Sequence, residues 1–285
     1  MIKFIAEVSS NHHRDLERSF EFIDAAASSG CKAVKFQLFK IEKLFAPEIL
    51  KKSSKHRERK NWELPIEFIP KLSERCKSHN IEFSCTPFYL DAVSELEPYV
   101  DFYKIASYEL LWDDLLAKCA RTGKPVIIST GMANILEIQH AVKVLQNNGC
   151  KNPTILHCTS AYPAPFSEAN LKAIDSIRSA TNCEVGWSDH TVEPGVIHRA
   201  IHKWGAKVIE LHLDLDGRGD EFRTGHCWLP HQISKLITDV KKGDGADGNG
   251  VKEPTTSEYL DREWRTDPED GLRPFKSIRK TFSFE

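Results

Sequence analysis

The chain alternates, eight times over, between a short apolar run and a longer stretch whose apolar residues recur at helical spacing. The runs fall at residues 2–7, 33–37, 81–85, 102–106, 125–129, 154–158, 183–186 and 207–213. Between them lie helix faces such as Leu16, Phe20, Ile23 and Ala27, or Ile233, Leu236, Ile237 and Val240. A strand followed by a helix and then another strand pairs in parallel, because the helix carries the chain back to the starting edge. Eight such units in about 240 residues suit a (β/α)8 TIM barrel, for which about 250 residues are typical. A doubly wound open sheet is the rival. The one Gly-x-Gly-x-x-Gly match, at 243–248, follows a helix and not a strand, so it fails as a dinucleotide fingerprint. Asn134 with Glu137 three residues on reads as a helix-opening capping box.

Two segments break the repeat. Residues 38–64 are long for a βα loop, and residues 51–60 hold six Lys or Arg in ten positions. The run reads either as a solvated surface loop or as a lid over an anionic substrate. From Gly243 the chain is punctuated by Gly, Asp and Pro, which divides it into a barrel domain (1–242) and an extended C-terminal arm (243–285).

Composition excludes several classes of function. Thirty-nine Lys and Arg against 41 Asp and Glu give a net charge of -2, without the basic excess of a nucleic-acid binder. No apolar run approaches the ~20 residues of a membrane span, and the start of the chain reads as a strand and not as a signal peptide. The eight cysteines stand singly, with no Cys-x-x-Cys pair, as expected of a reduced, cytoplasmic protein.

In a parallel barrel the active site sits at the C-terminal ends of the strands, and polar residues collect there. The first strand ends in Glu7, followed by Asn11, His12 and His13; the second carries Lys35 and Gln37, which share a face. Thr86 follows the third, Lys104 lies on the fourth before Ser107 and Glu109, and Ser129 ends the fifth. Ser160 and Tyr162 follow the sixth, Ser188, Asp189 and His190 the seventh, and the eighth holds Glu210 and His212. Lysine is rarely buried unpaired. Two on inward strands beside hydroxyl donors form a site for a polyanion carrying phosphate and carboxylate. His190 and His212, at the ends of adjacent strands, form a candidate divalent-metal pair. Each imidazole alone reads more simply as a hydrogen-bonded structural residue.

The segments IAEVSSNHHRDLERSFEFIDAAASSGCKAVKFQLF, CTPF (85–88), YKIAS (103–107), STGMANILEIQHAV, LHCTSAYPAP and VGWSDHT, in this order, resemble the sialic acid synthases. These enzymes condense phosphoenolpyruvate with an aldose in a (β/α)8 barrel. The resemblance implies a metal-dependent N-acetylneuraminate synthase-like transferase. Phosphoenolpyruvate and an N-acylmannosamine-type aldose would give a nonulosonic acid and phosphate by C–O cleavage. It implies phosphoenolpyruvate contacts from Lys35, Thr86, Lys104, Ser107, Ser129 and Ser188, with Ser160 where the family often has Asn. It implies Mn²⁺ or Mg²⁺ on His190 and His212, acceptor contacts from Glu7, Gln37 and Tyr162, and a homodimer. Glu109 is the candidate for proton handling, and Asp189 is expected to orient its neighbours. In the eighth-strand region HLDLDGRGDEFRTGHCWLP replaces the family's usual sequence. There Asp220 or Glu221 takes the place of the acceptor-binding acid, with Asp220 the chosen candidate, and His226 is a further ligand or a loop residue. Family members usually continue into an antifreeze-like domain; the 43 residues from Gly243 are too few for it, and tail arginines 262, 265 or 273 would act in its stead across a dimer interface. The alternatives are a synthase for another aldose, one carrying a phosphate included, and a catalytically silent barrel used as a scaffold.

Overall fold

The computed structural model describes residues 2–283. Strands β1 (Lys3–Glu7), β2 (Ala33–Leu38), β3 (Glu82–Pro87), β4 (Phe102–Ile105), β5 (Val126–Ser129), β6 (Thr154–Cys158), β7 (Glu184–Asp189) and β8 (Val208–His212) close into a barrel in chain order. Every neighbouring pair is parallel, and β8 pairs back onto β1 with Glu7 opposite His212. The barrel expectation holds. Contact patterns divide the chain into two compact units, one ending at Val240 and one beginning at Lys241.

Side chains alternate across a strand, and the alternation sorts the barrel into two apolar regions. Outward residues such as Phe36, Tyr103, Ile128 and Ile209 pack under the helices in one cluster. Inward residues Ile5, Ala33, Phe102, Ile127, Leu156 and Val208 form a second cluster that plugs the N-terminal half of the barrel. Two residues further along the same strands, the inward positions become Glu7, Lys35, Lys104, Ser129, Cys158 and Glu210. The interior is therefore apolar below and ionic above, and the change occurs within one pleat.

The surrounding helices are Leu16–Ser28, Ile69–Ser78, Leu90–Leu96, Asp113–Arg121, Ile135–Asn147, Ala173–Thr181, Pro194–His198 with a π turn through Lys203, and Pro230–Ala246. The capping box forms as read: the Asn134 side chain accepts from Leu136 and Glu137, and Glu137 accepts from the Asn134 N–H. The glycine-rich 243–248 segment begins within the helix Pro230–Ala246, in keeping with its dismissal as a nucleotide motif. The long second loop is not irregular: it folds into short helices Ile41–Leu44, Pro47–Lys52 and Ser54–Glu58 with two 3-10 turns. All eight cysteines are buried and free. No helix among the described residues is long and apolar enough to cross a membrane.

Gly186 on β7 faces β8 so closely that an added Cβ would lie 2.2 Å from the Val208 carbonyl, a backbone atom that cannot swing away. Gly195, by contrast, has nothing within 4 Å. We expect Gly186→Ala to lower the urea-unfolding free energy by about 2 kcal/mol or more, and Gly195→Ala to change it by less than about 1 kcal/mol. Equal midpoints for the two variants would contradict this packing.

Candidate active site

Four buried charged side chains form the floor of the site. Lys35 pairs with Glu7 and donates to Thr86 Oγ1 at 3.3 Å. Lys104 donates to Ser129 Oγ at 2.6 Å and to the Ile105 carbonyl at 3.3 Å. Glu210 lies between them, its Oε1 3.5 Å from Lys104 Nζ and 3.9 Å from Lys35 Nζ, and accepts from Ser188 Oγ at 3.3 Å. All four charged residues are at most 4 % exposed. An unpaired charge at this depth would be expelled or neutralised, so the cluster exists because each strand brings a partner for its neighbour. Burial works against the charge on Lys35, but Glu210 and Glu7 outweigh it and its pKa is raised. For Lys104, burial dominates, the neighbouring Lys35 adds to it, and its pKa is lowered. Glu210 resists its own burial because Lys104 and Lys35 hold it below the usual carboxylate value.

Above the floor two compartments open at the C-terminal mouth, of about 380 and 740 Å³, and they share Ser9, Ser10, Gln37, Arg59, Trp62, Tyr162 and Glu221 as walls. Gln37 donates to Glu7 Oε1 at 2.6 Å, which ties the wall to the floor. Glu109, on a 3-10 turn after β4, lines the larger compartment. Its Oε2 is buried without a hydrogen-bond partner, and burial raises its pKa to about 7. The Ser107 hydroxyl accepts from the Gly131 N–H at 3.0 Å. A Cβ on Gly131 would lie 2.0 Å from Ser160 Oγ and 3.0 Å from Ser107 Oγ, so only glycine lets these hydroxyls close in.

The imidazoles sit on the β7–β8 side. His190 and His212 lie 5.3 Å apart by ring centroid, with Tyr162 packed 4.2 Å from His190. The His190 Nδ1 bonds the Thr159 carbonyl at 2.7 Å; a carbonyl can only accept, so the proton is on Nδ1 and Nε2 keeps its lone pair. Burial, with His212 nearby, lowers the His190 pKa to about 3. Asp189 accepts from Trp187 Nε1 at 3.0 Å, Trp228 Nε1 at 3.0 Å, Thr191 Oγ1 at 2.7 Å and two backbone N–H groups. It anchors neighbours, as expected.

The expected residues thus converge, with two differences. Asp220 lines the smaller compartment, but its carboxylate pairs with exposed Arg223. Its neighbour Glu221 is the acid that turns inward, with Oε2 3.2 Å from His212 Nδ1 and 3.5 Å from His226 Nε2. Ser160 faces a separate cavity beside Thr130, Met132 and His157. Of the basic 51–60 run, the lysines and Arg57 are exposed, whereas Arg59 turns into both compartments. Glu210, Cys227 and Arg59 belong to the site without having been assigned roles from sequence, and Glu221 had been the second choice behind Asp220. Glu210 had a usable signal, since it shares a face with His212 two residues on.

Residues 22–252 match the NeuB family. The N,N'-diacetyllegionaminic acid synthase of Campylobacter jejuni is 38 % identical over 268 residues, 89 % of this chain and 80 % of that one. A pseudaminic acid synthase of the same species is 32 % identical over 260 residues, covering 86 % and 75 %. The crystal structure of an N-acetylneuraminic acid synthetase from Leptospira borgpetersenii, in complex with citrate, superimposes with a TM-score of 0.79 at 30 % identity, covering 94 % and 93 %. A closed parallel barrel, a floor of paired lysines and carboxylates and these likenesses agree: the chain belongs to the NeuB family of synthases, which condense phosphoenolpyruvate with a sugar.

Proposed function

We propose that this protein condenses phosphoenolpyruvate with an N-acylated aldose of the mannosamine type, giving a nonulosonic acid and inorganic phosphate with the help of a divalent cation. The observation that carries this reading is the convergence of Lys35 and Lys104, from β2 and β4, on Glu210 at the mouth where two adjoining compartments open, one walled by Glu109 and the other by His212. Each lysine has three N–H donors. Lys104 spends two on Ser129 and Ile105, and Lys35 two on Glu7 and Thr86, so the third on each faces Glu210 at 3.5 and 3.9 Å and is the one that can turn to a substrate oxygen. Ser107, Ser129, Thr86 and Ser188 add hydroxyls for the phosphate and carboxylate, with Ser160 at the edge. Gln37, Tyr162, Glu7 and Glu221 face the acceptor, with Asp220 on the outer wall of the smaller compartment.

In the reaction, C3 of phosphoenolpyruvate forms a bond to the aldehyde carbon, water adds at C2, and the C2–O bond to phosphate breaks. When bound beside His190 and His212, the cation would act as a Lewis acid on the aldehyde oxygen. His190 offers a neutral nitrogen donor for it, because burial holds that ring uncharged. Burial also works against charge on His212, but the Glu221 carboxylate outweighs it and the His212 pKa is raised, so a cation there would displace a proton. Glu109, as a carboxylate, takes the proton of the water that adds at C2. The buried free thiols suit a reducing compartment, the cytoplasm in this reading.

A second reading concerns the acceptor alone. Arg59 Nε is buried without a hydrogen-bond partner, and the guanidinium borders both compartments. An aldose with an anionic group, a phosphate included, would satisfy it.

Phosphate release from phosphoenolpyruvate, measured with Mn²⁺ and a panel of N-acylated and phosphorylated aldoses, tests both readings. Acceptor-dependent release that EDTA abolishes supports the synthase, and the preferred sugar separates the two acceptors; no release with any aldose overturns it. Lys104→Met should raise the KM for phosphoenolpyruvate by about tenfold to a hundredfold, the loss of a charge-assisted hydrogen bond. His212→Ala should chiefly remove metal-dependent turnover. Glu109 works as a base only when ionised, so kcat should rise with pH through about 7 and then level. Glu109→Gln should flatten that limb and lower kcat by about 10²-fold or more. An unchanged profile in this variant rules out the base.

A further inference from the structure

The loop after β8 carries a donor set of its own. His212, Glu221, His226 and Cys227 each offer one ligand atom, and these atoms all lie within 4.8 Å of one another. We propose that this set, which shares His212 with the strand-end pair, is a metal site selecting a thiophilic divalent cation, Zn²⁺ or Fe²⁺ in preference to Mg²⁺. It rests on the synthase reading only for what the cation does in turnover, not for its binding.

The geometry fits a compact coordination sphere. Glu221 Oε2 is 3.2 Å from His212 Nδ1, 3.5 Å from His226 Nε2 and 4.0 Å from Cys227 Sγ. Ligands at about 2.0–2.3 Å around a tetrahedral centre lie about 3.3–3.8 Å apart, so the most distant pair needs to close by about 1–1.5 Å. The protonation logic points the same way. Thr224 Oγ1 donates to the Glu221 carbonyl at 2.7 Å, so it accepts at 2.8 Å from His226 Nδ1. That fixes the proton on Nδ1 and leaves the Nε2 lone pair facing a carboxylate oxygen. Two acceptor atoms aimed at one point leave a place for a metal ion between them. The hydroxyl is the outer partner that orients a metal-bound imidazole.

The loop is clamped in this shape. Trp228 N–H donates to the His212 carbonyl at 2.7 Å, and Asp214 N–H donates to the Trp228 carbonyl at 2.9 Å. The Trp228 indole is held by Asp189, and the Asp214 carboxylate accepts from Gly217 and Gly219. His226 and Cys227 are therefore pinned beside His212, and the short helix Asp220–Arg223 turns Glu221 toward them. His212, His226 and Cys227 are each less than a tenth exposed. A thiolate among the donors shifts the choice toward zinc, cobalt and iron and away from magnesium, which prefers oxygen.

The test titrates the metal-stripped full-length protein with Co²⁺ and follows its absorption. We expect one equivalent to bind with tetrahedral d–d bands and a near-ultraviolet thiolate-to-cobalt band, bleached by Zn²⁺ but not by Mg²⁺. Cys227→Ser should lose the near-ultraviolet band, and His226→Gln should weaken Co²⁺ binding about tenfold or more, with circular dichroism checking that both variants are folded. No Co²⁺ binding, or binding without the thiolate band and indifferent to both substitutions, overturns the site while leaving the synthase reading to the phosphate assay. The band without any aldose-dependent phosphate release upholds the site and removes the synthase reading.

Discussion

The ionic floor of the barrel constrains everything above it. Lys35, Lys104, Glu7 and Glu210 lie where water does not reach, and each is tolerable only because strands from different parts of the chain deliver its partner. The apolar plug of Ile5, Ala33, Phe102, Ile127, Leu156 and Val208 beneath them supplies rigidity and lowers the local dielectric. In such surroundings a charge-assisted hydrogen bond to a substrate oxygen is stronger than in water. The carboxylates keep Lys35 charged before substrate arrives, and the lysines keep Glu210 ionised. Closure of the barrel is thus a condition for the site as well as for the fold.

The wall of the site is built differently from its floor. Strand geometry positions the floor, but the wall depends on loop anchors. Asp189 joins the two indoles of Trp187 and Trp228, so one carboxylate couples the end of β7 to the returning β8 loop. Arg14 donates to the carbonyls of Lys60 and Glu63, which fastens the long second loop against the first. That loop offers Arg59 to the cavity and leaves the other basic residues to solvent. The mouth therefore combines a fixed ionic base with a rim whose chemistry a few loop residues can change.

Most of the floor was legible in the sequence, because a strand's period of two places Lys35 with Gln37, and Glu210 with His212, on one face. The Asn134 cap was legible for an equally local reason. What was not legible depends on tertiary contacts. β7 runs on through Trp187, Ser188 and Asp189, residues whose polarity resembles a loop, because it pairs with β8 as far as Asp189 opposite Leu211. Within the turn of Asp220–Arg223, adjacent residues point about 100° apart, and no propensity says which is inward. The pairing of Asp220 with Arg223, and of Glu221 with two imidazoles, makes that decision. Cys227 stood alone in the sequence and acquired neighbours only through the Trp228 clamp.

The most direct measurement is a crystal structure of the full-length protein soaked with phosphoenolpyruvate. The account places the ligand's anionic oxygens on the ammonium groups of Lys35 and Lys104, with the hydroxyls of Ser129 and Ser188 in contact and the ligand's C2 facing Glu109. Ordered phosphoenolpyruvate elsewhere on the protein, with both lysines still bound only to their own carboxylates and hydroxyls, would contradict it.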